Sequence, residues 1–373
     1  MKILCVFGTR PEAIKMAPVV KELEVREGVE CLTCSTGQHR EMLDQVLRLF
    51  GIKPRHELDV MRHNQTPTQV ASAVLSEIEG VIRGESFDWV LVQGDTTTAM
   101  AAALASFYNR VKVGHVEAGL RTRDKWQPFP EEINRRVIGA IADLHFAPTE
   151  TARENLLAEG VTPERIAVTG NTVIDALLWV ANSRPSEETR AFLDGLELDG
   201  DRRLILVTAH RRENHGEPLR NICSALREIA SRYAGKVRIV YPVHLNPNVW
   251  EPVHEMLEDV PGVTLLRPLE YEPLVHLMKR AYLILTDSGG IQEEAPALGV
   301  PVLVLRNTTE RPEGIEAGTA KLVGTDRKRI IEEVSRLFDD PDERARMSRA
   351  VNPYGDGMAS RRIADALLNH SSI

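Results

Sequence analysis

Tyr282-Leu-Ile-Leu-Thr-Asp287-Ser288-Gly289-Gly290, then a helical stretch at 291–298 closed by Gly299, then an apolar run at 301–305, is the segment that decides the fold. A short apolar run, a small-residue turn, a helix and a second apolar run make the crossover unit of a parallel sheet. The same alternation extends to both ends of the chain. Strands are expected at 3–7, 30–34, 89–92, 111–115, 144–146 and 166–168, and again at 204–208, 237–241, 263–266 and 282–286, with helical patterns between them. The class is therefore α/β, with two Rossmann-like doubly wound sheets in sequence.

The polar stretch from Asn182-Ser-Arg-Pro-Ser-Glu-Glu to Leu196-Glu-Leu-Asp-Gly-Asp-Arg lacks a strong strand and is punctuated by Pro and Gly. It marks the expected boundary between a first domain, 1–180, and a second, 181–356. The last helix, 357–373, follows a break at Tyr354-Gly-Asp-Gly357 and is expected to pack back on the first domain. Two such sheets would present their carboxyl strand ends to each other across a cleft.

Composition narrows the function. The 373 residues are 43% hydrophobic and 27% charged, with a net charge of -8, so a nucleic-acid backbone is not the expected partner. No apolar stretch approaches the ~20 residues that span a bilayer, and no signal peptide precedes the first strand. Cys5, Cys31, Cys34 and Cys223 fall in strands or an apolar helix, which reads as reduced thiols in a cytoplasmic protein. Cys31-Leu-Thr-Cys34 has no second pair for zinc and is read as packing.

The chemistry gathers at strand ends. After the first strand, Thr9-Arg10-Pro11-Glu12 has capping-box spacing, and Arg10 and Lys15 with free helix amides would make an anion site. Pro18 is expected to break or kink that helix. Asp95, in Gln93-Gly94-Asp95-Thr96, lies at a strand-to-helix corner, where it either caps or serves the site. Glu117 ends the next strand, and Glu131 and Glu132 open a helix after two prolines. Asp95, Glu117 and Glu131 together exceed what capping requires and read as acid/base groups. In the second half, the cationic loop beginning His210-Arg211-Arg212 is placed to meet phosphate or charge developing on a leaving group. Ser288-Gly289-Gly290 at a helix start suits a phosphate, and the carboxylates of Glu293 and Glu294 suit ribose hydroxyls. Neither a P-loop nor a dinucleotide fingerprint occurs.

Taken together, FGTRPEAIKMAP (7–18), QGDTTTAMA (93–101), GHVEAGLRT (114–122), PFPEEINRR (128–136), TGNTVIDAL (169–177), TAHRREN (208–214) and TDSGGIQEEAPALGVPVL (286–303) resemble the non-hydrolysing UDP-N-acetylglucosamine 2-epimerases. The resemblance covers the chain from Met1 to about Arg362, with the motifs in the family's order. It implies a glycosyltransferase-B type fold, a homodimer, and interconversion of UDP-GlcNAc and UDP-ManNAc for surface polysaccharide synthesis, with no metal or nicotinamide cofactor. The implied route eliminates UDP to leave 2-acetamidoglucal, then adds it back with protonation from the other face in a closed cleft. Motif match gives Asp95, Glu117 and Glu131 the acid/base roles, without fixing which takes the C2 proton. His210, Arg10 and Lys15 match positions near the diphosphate. Ser288, Gly289, Gly290 and Glu294 match phosphate and ribose positions, and Arg311 lies beside the nucleotide. Bacterial members can use a second UDP-GlcNAc as activator. Gln38, Arg212 and His244 match that site, whereas Asn64 replaces a basic residue and Glu41 a glutamine. Leu269 and Leu274 stand where relatives can place Gln and Phe near uracil.

Rival readings are a hydrolysing epimerase, a glycosyltransferase of the same fold and a non-catalytic nucleotide-sugar sensor. The three carboxylates disfavour the last two. A product assay separates the first.

Overall fold

A computed structural model describes residues 1–37, 40–60, 65–196, 198 and 202–370. Its strands are near-continuous apolar runs because helices cover both faces of each sheet. β1 (Lys2–Phe7), β2 (Glu30–Ser35), β3 (His56–Glu57), β4 (Trp89–Gln93), β5 (Lys112–Val116), β6 (Leu144–Ala147) and β7 (Ile166–Val168) form one parallel sheet in the order β3-β2-β1-β4-β5-β6-β7. β8 (Arg203–Thr208), β9 (Val237–Pro242), β10 (Val263–Leu266), β11 (Leu283–Thr286), β12 (Val302–Val304) and β13 (Ala320–Leu322) form a second, in the order β10-β9-β8-β11-β12-β13. Sequence reading missed β3 and β13. They are two and three residues long and sit at sheet edges, too short to show a period.

In each sheet the order reverses once, between β1 and β4 and between β8 and β11. A crevice opens at the carboxyl ends of such strand pairs, which is where open α/β sheets bind ligands. The residues leaving β1 and β4 are Gly8-Thr9 and Gly94-Asp95. Those leaving β8 and β11 are Ala209-His210 and Asp287-Ser288.

The chain divides into a unit of Met1–Ala176 with Gly355–Ile373 and a unit of Leu177–Tyr354. In the first unit, Asp175 accepts the Ala359 and Ser360 amides and the Ser360 hydroxyl at 2.6–3.2 Å, fastening the helix Ala359–His370 by its first turn. That core centres on residues such as Leu4, Val74, Ile78, Val90 and Ile138. The second unit has its own core, including Ile205, Leu226, Ile239, Leu285 and Leu303. The four cysteines are free thiols.

Pro18 does not break its helix, which runs unbroken over Arg10–Glu24. An interior proline costs about 3 kcal/mol, whereas each fully buried Ile, Met, Val or Leu contributes roughly 1.5–3 kcal/mol. Ile14, Met16, Val19, Val20 and Leu23 are all buried, so packing outweighs the lost hydrogen bond.

His115 and His145 face each other in register across β5 and β6, both 1% exposed, and burial pushes them down from 6.5 to about 3 and about 4. Unfolded, each would take a proton near 6.5; folded, each resists until the lower value is reached. The unfolded chain thus binds more protons in that window, and stability falls as the pH is lowered through it, by up to about 1.4 kcal/mol per unit per histidine. Urea midpoints measured from pH 7 to 5 should fall accordingly. His115→Gln should remove about one proton of this dependence, and a flat wild-type profile would refute the linkage.

Candidate active site

Helix Arg10–Glu24 begins at Thr9, whose side chain caps it while Glu12 bonds back. Glu12 is 1% exposed and accepts the Gly8 and Thr9 amides at 3.0 and 2.7 Å and the Thr96 hydroxyl at 2.6 Å. The Gly8 and Thr9 amides at the entry to this helix are therefore held by the protein's own carboxylate. Lys15, one turn on, pairs with Glu117. Lys15 thus joins the carboxylates at the strand ends.

Glu117 leaves β5 with φ 64, a left-handed conformation that non-glycine residues adopt rarely and that clusters at functional sites. Gly119 follows at φ +89, where an added Cβ would lie 2.2 Å from the Ala152 carbonyl oxygen, so only glycine lets this corner close on helix Glu150–Ala158. The Glu117 side chain is 6% exposed. Its Oε2 accepts hydrogen bonds from both Lys15 Nζ and Gln93 Nε2.

Asp95 does not cap. Thr96 does, accepting the Ala99 amide at 3.0 Å. Freed from capping, Asp95 pairs with Arg135 through Oδ2. Burial raises its pKa above the ordinary carboxylate value, Arg135 opposes that shift, and the charge of Glu117 adds to it, so Asp95 and Glu117 lie within electrostatic reach. The helix Glu131–Ile141 is tied to the same corner, because Asn134 Nδ2 donates to the Asp95 carbonyl at 2.9 Å.

The adjacent glutamates at that helix start divide their work. Glu132 is fully buried and accepts the Thr122 and Arg123 amides at 3.0 and 3.2 Å while pairing with Arg135 and Arg136, which is a structural role. Among the described residues, Glu131 has a buried Oε2 with no hydrogen-bond partner. An orphaned carboxylate oxygen is costly and rare, and marks a group kept for a ligand or a proton.

In the second unit, Asp287 leaves β11 completely buried. Its Oδ2 accepts the His210 and Arg211 amides at 2.8 Å each and Asn214 Nδ2 at 2.9 Å, which folds the 210–214 loop over the strand end. His210 Nδ1 lies 3.7 Å from Asp287 Oδ1, and its ring stacks on His244 at 5.4 Å. Burial lowers the His210 pKa below the ordinary imidazole value while Asp287 opposes the shift.

Helix Gly289–Ala297 starts at Ser288, whose side chain makes no capping bond. A Cβ on Gly289 would meet Arg211 Nη2 at 3.6 Å and Arg311 Cζ at 3.9 Å, so two guanidinium groups flank this helix start. Guanidinium groups beside a helix amino terminus suit a phosphate. Arg311 also pairs with Glu293, and Glu294 receives the Tyr271 hydroxyl at 3.4 Å. Arg306, 5% exposed, grips Glu213 and Glu310 at 2.5 and 2.6 Å and so clamps the loops after β8 and β12 together. Arg212 begins a 3-10 turn over Arg212–Asn214, with Glu213 fixed by Arg306. Gln38 and Asn64 lie outside the described residues, as does the Glu41 side chain.

Gln93, Arg135, Arg211, Asp287 and Arg306 carry much of this geometry without having been assigned roles from the sequence. Asp287 had a signal, since an acidic residue directly before Ser-Gly-Gly ends an apolar strand. Gln93 had the same one at β4. For Arg135 and Arg306 the partners are distant in sequence, and only the fold reveals them.

Among the described residues no group of three or more His, Cys, Asp or Glu side chains is gathered to hold a metal ion, and no helix is long and apolar enough to cross a membrane.

Comparison with known proteins places this arrangement. The UDP-N-acetylglucosamine 2-epimerase family profile matches residues 21–368. The UDP-N-acetylglucosamine 2-epimerase of Escherichia coli O157:H7 is 56% identical over 373 residues, covering 99% of each chain. A solved Listeria monocytogenes structure is 50% identical, with TM-score 0.93 over 100% of this chain and 96% of that one. The Neisseria meningitidis UDP-GlcNAc 2-epimerase, solved bound to UDP-GlcNAc, is 48% identical with TM-score 0.86, over 99% of this chain and 100% of that one. With family profile, sequence identity and fold agreeing over almost its whole length, the chain belongs to the UDP-N-acetylglucosamine 2-epimerase family.

Proposed function

We propose that this protein interconverts UDP-GlcNAc and UDP-ManNAc without releasing free sugar. C2 of the sugar is too weakly acidic for direct removal and return of its proton. A base takes the C2 proton as the C1–O bond breaks, the electron pair forms the C1–C2 double bond, and UDP leaves with the bonding electrons. Adding UDP back to the 2-acetamidoglucal while a proton arrives on the opposite face of C2 gives the epimer. The sequence is redox-neutral overall and calls for no nicotinamide.

The observation that carries this reading, in a chain of this family, is the gathering of Asp95, Glu117 and Glu131 at one sheet's carboxyl edge with distinct partners: Arg135, the Lys15–Gln93 pair, and, among the described residues, none for Glu131 Oε2. Different surroundings let carboxyl groups differ in proton affinity, which acid and base roles on one substrate require. Arg10, and in the other unit His210, Ser288, Gly289, Gly290, Glu294 and Arg311, are assigned to UDP, where positive charge and helix amides stabilise the departing diphosphate. We further assign the protein to the cytoplasm as a homodimer, with its product feeding surface polysaccharide synthesis.

Proton NMR of the enzyme with UDP-GlcNAc in deuterated water tests the reading. Deuterium at C2 of both UDP-sugars, with only traces of UDP and acetamidoglucal, is the expected result. Free ManNAc with stoichiometric UDP would make the enzyme a hydrolase, and no exchange would remove the assignment.

The same assay addresses activation by a second UDP-GlcNAc, for which Gln38, Arg212 and His244 match the family's site. Asn64 and Glu41 replace a basic residue and a glutamine there, which weakens attraction for an anionic ligand. Progress curves begun from UDP-ManNAc alone are therefore expected to rise without a lag. A lag abolished by trace UDP-GlcNAc would show that the activator site works.

A further inference from the structure

We infer that Gln93 is a positioning residue for Glu117, and that with Lys15 it confines the exchangeable proton of Glu117 to Oε1. This rests on the epimerase reading above and names a residue that the acid/base set does not contain.

Gln93 ends β4 directly beside Val116 in the sheet register, and its side chain is turned onto the carboxylate that leaves β5 one residue later. It is 3% exposed, and among the described residues its side chain's only hydrogen bond goes to Glu117 Oε2. Lys15 reaches the same oxygen from helix Arg10–Glu24. Among the described residues Oε1 receives no hydrogen bond.

Two donors on one carboxylate oxygen and none on the other is an asymmetry with a chemical consequence. An ammonium and an amide NH2 can only donate. When Glu117 is protonated, a proton on Oε2 would point at groups unable to accept it. Turning the Gln93 amide over would offer a carbonyl, but the Lys15 ammonium on that oxygen still opposes a proton there. The neutral acid must therefore carry its hydrogen on Oε1, and the anion must take a proton through Oε1.

The left-handed φ of 64 at Glu117 makes the support necessary. A residue held in a costly backbone conformation needs its surroundings to fix the side chain. Gln93 donates to the carboxylate without adding charge, so it fixes the group while leaving the net charge of the site unchanged.

Gln93→Met keeps the side-chain volume and removes the donor. Turnover is expected to fall roughly 10- to 100-fold, less than the ~10²–10⁴ attributed to an acid/base group itself. KM for UDP-GlcNAc and the affinity for UDP should stay within about twofold, because UDP is held elsewhere. The acid limb of the kcat–pH profile should move up as a donor to the anion is lost. Gln93→Glu, nearly the same shape, should move that limb further in the same direction through like-charge repulsion, and gives the same readout if the methionine variant fails to fold. Turnover loss with an unmoved pH limb in both variants, or loss confined to KM, would overturn the assignment. If wild-type enzyme shows no C2 exchange, the epimerase reading fails instead; wild-type exchange matched by both variants removes Gln93 alone.

Discussion

Glu117→Gln is expected to lower kcat by ~10²–10⁴, the range for a general acid/base group, while leaving the thermal midpoint and UDP affinity near those of the parent. The fold tolerates the change because the new amide can place its oxygen where Oε2 stood, accepting from Lys15 and Gln93 as before. That orientation forces the NH2 onto the Oε1 side, which then neither accepts nor releases the reacting proton. Loss of C2 deuterium exchange in step with epimerisation would place the defect in proton transfer, since a binding defect would raise KM instead. A variant retaining more than about a tenth of parental exchange would remove Glu117 from the chemistry, because that loss is well below what general acid/base groups contribute.

The second large effect is one of stability. Asp287→Ala leaves the His210 and Arg211 amides and Asn214 Nδ2 without their shared acceptor at a fully buried site. Each buried donor left unsatisfied costs about 1–3 kcal/mol, so roughly 3–5 kcal/mol should be lost from the Leu177–Tyr354 unit after relaxation. Denaturant unfolding followed by a probe in that unit measures it. Asp287→Asn keeps an acceptor oxygen and should recover most of the stability, while still altering the charge facing His210. If alanine costs under about 1 kcal/mol, the 210–214 loop does not depend on this carboxylate to the degree that buried polar energetics require.

The strand–turn–helix segment at 282–305 made the fold legible because its strand is buried on both faces and its turn is written in Ser-Gly-Gly, so period and punctuation agree. Where packing overrides local preference, reading the sequence failed, as at Pro18. The carboxylates of the candidate site were visible as residues at strand ends. What each one touches was not, because Arg135 lies 40 positions from Asp95 and Lys15 lies 102 from Glu117. Thr9-x-x-Glu12 was recognised as a capping box, yet nothing local showed that Glu12 also receives Thr96 from β4's far end and so fills the helix terminus itself. Pairings of that range are set by sheet order, which strand patterns alone do not give.

The clasp of Asp175 on Ala359 and Ser360 spans 184 and 185 positions, with the whole Leu177–Tyr354 unit inserted between its halves. During synthesis, the amino-terminal segment emerges first but cannot complete its fold until the final helix has cleared the ribosome, whereas the inserted unit has every residue it needs earlier. The order of birth along the chain and the order of maturation are thus inverted. A stalled or truncated product would leave the Leu177–Tyr354 unit formed while the unit bearing the carboxylates still waits for its last helix. Quality control that degrades incomplete chains would find its exposed apolar surface at the amino-terminal end.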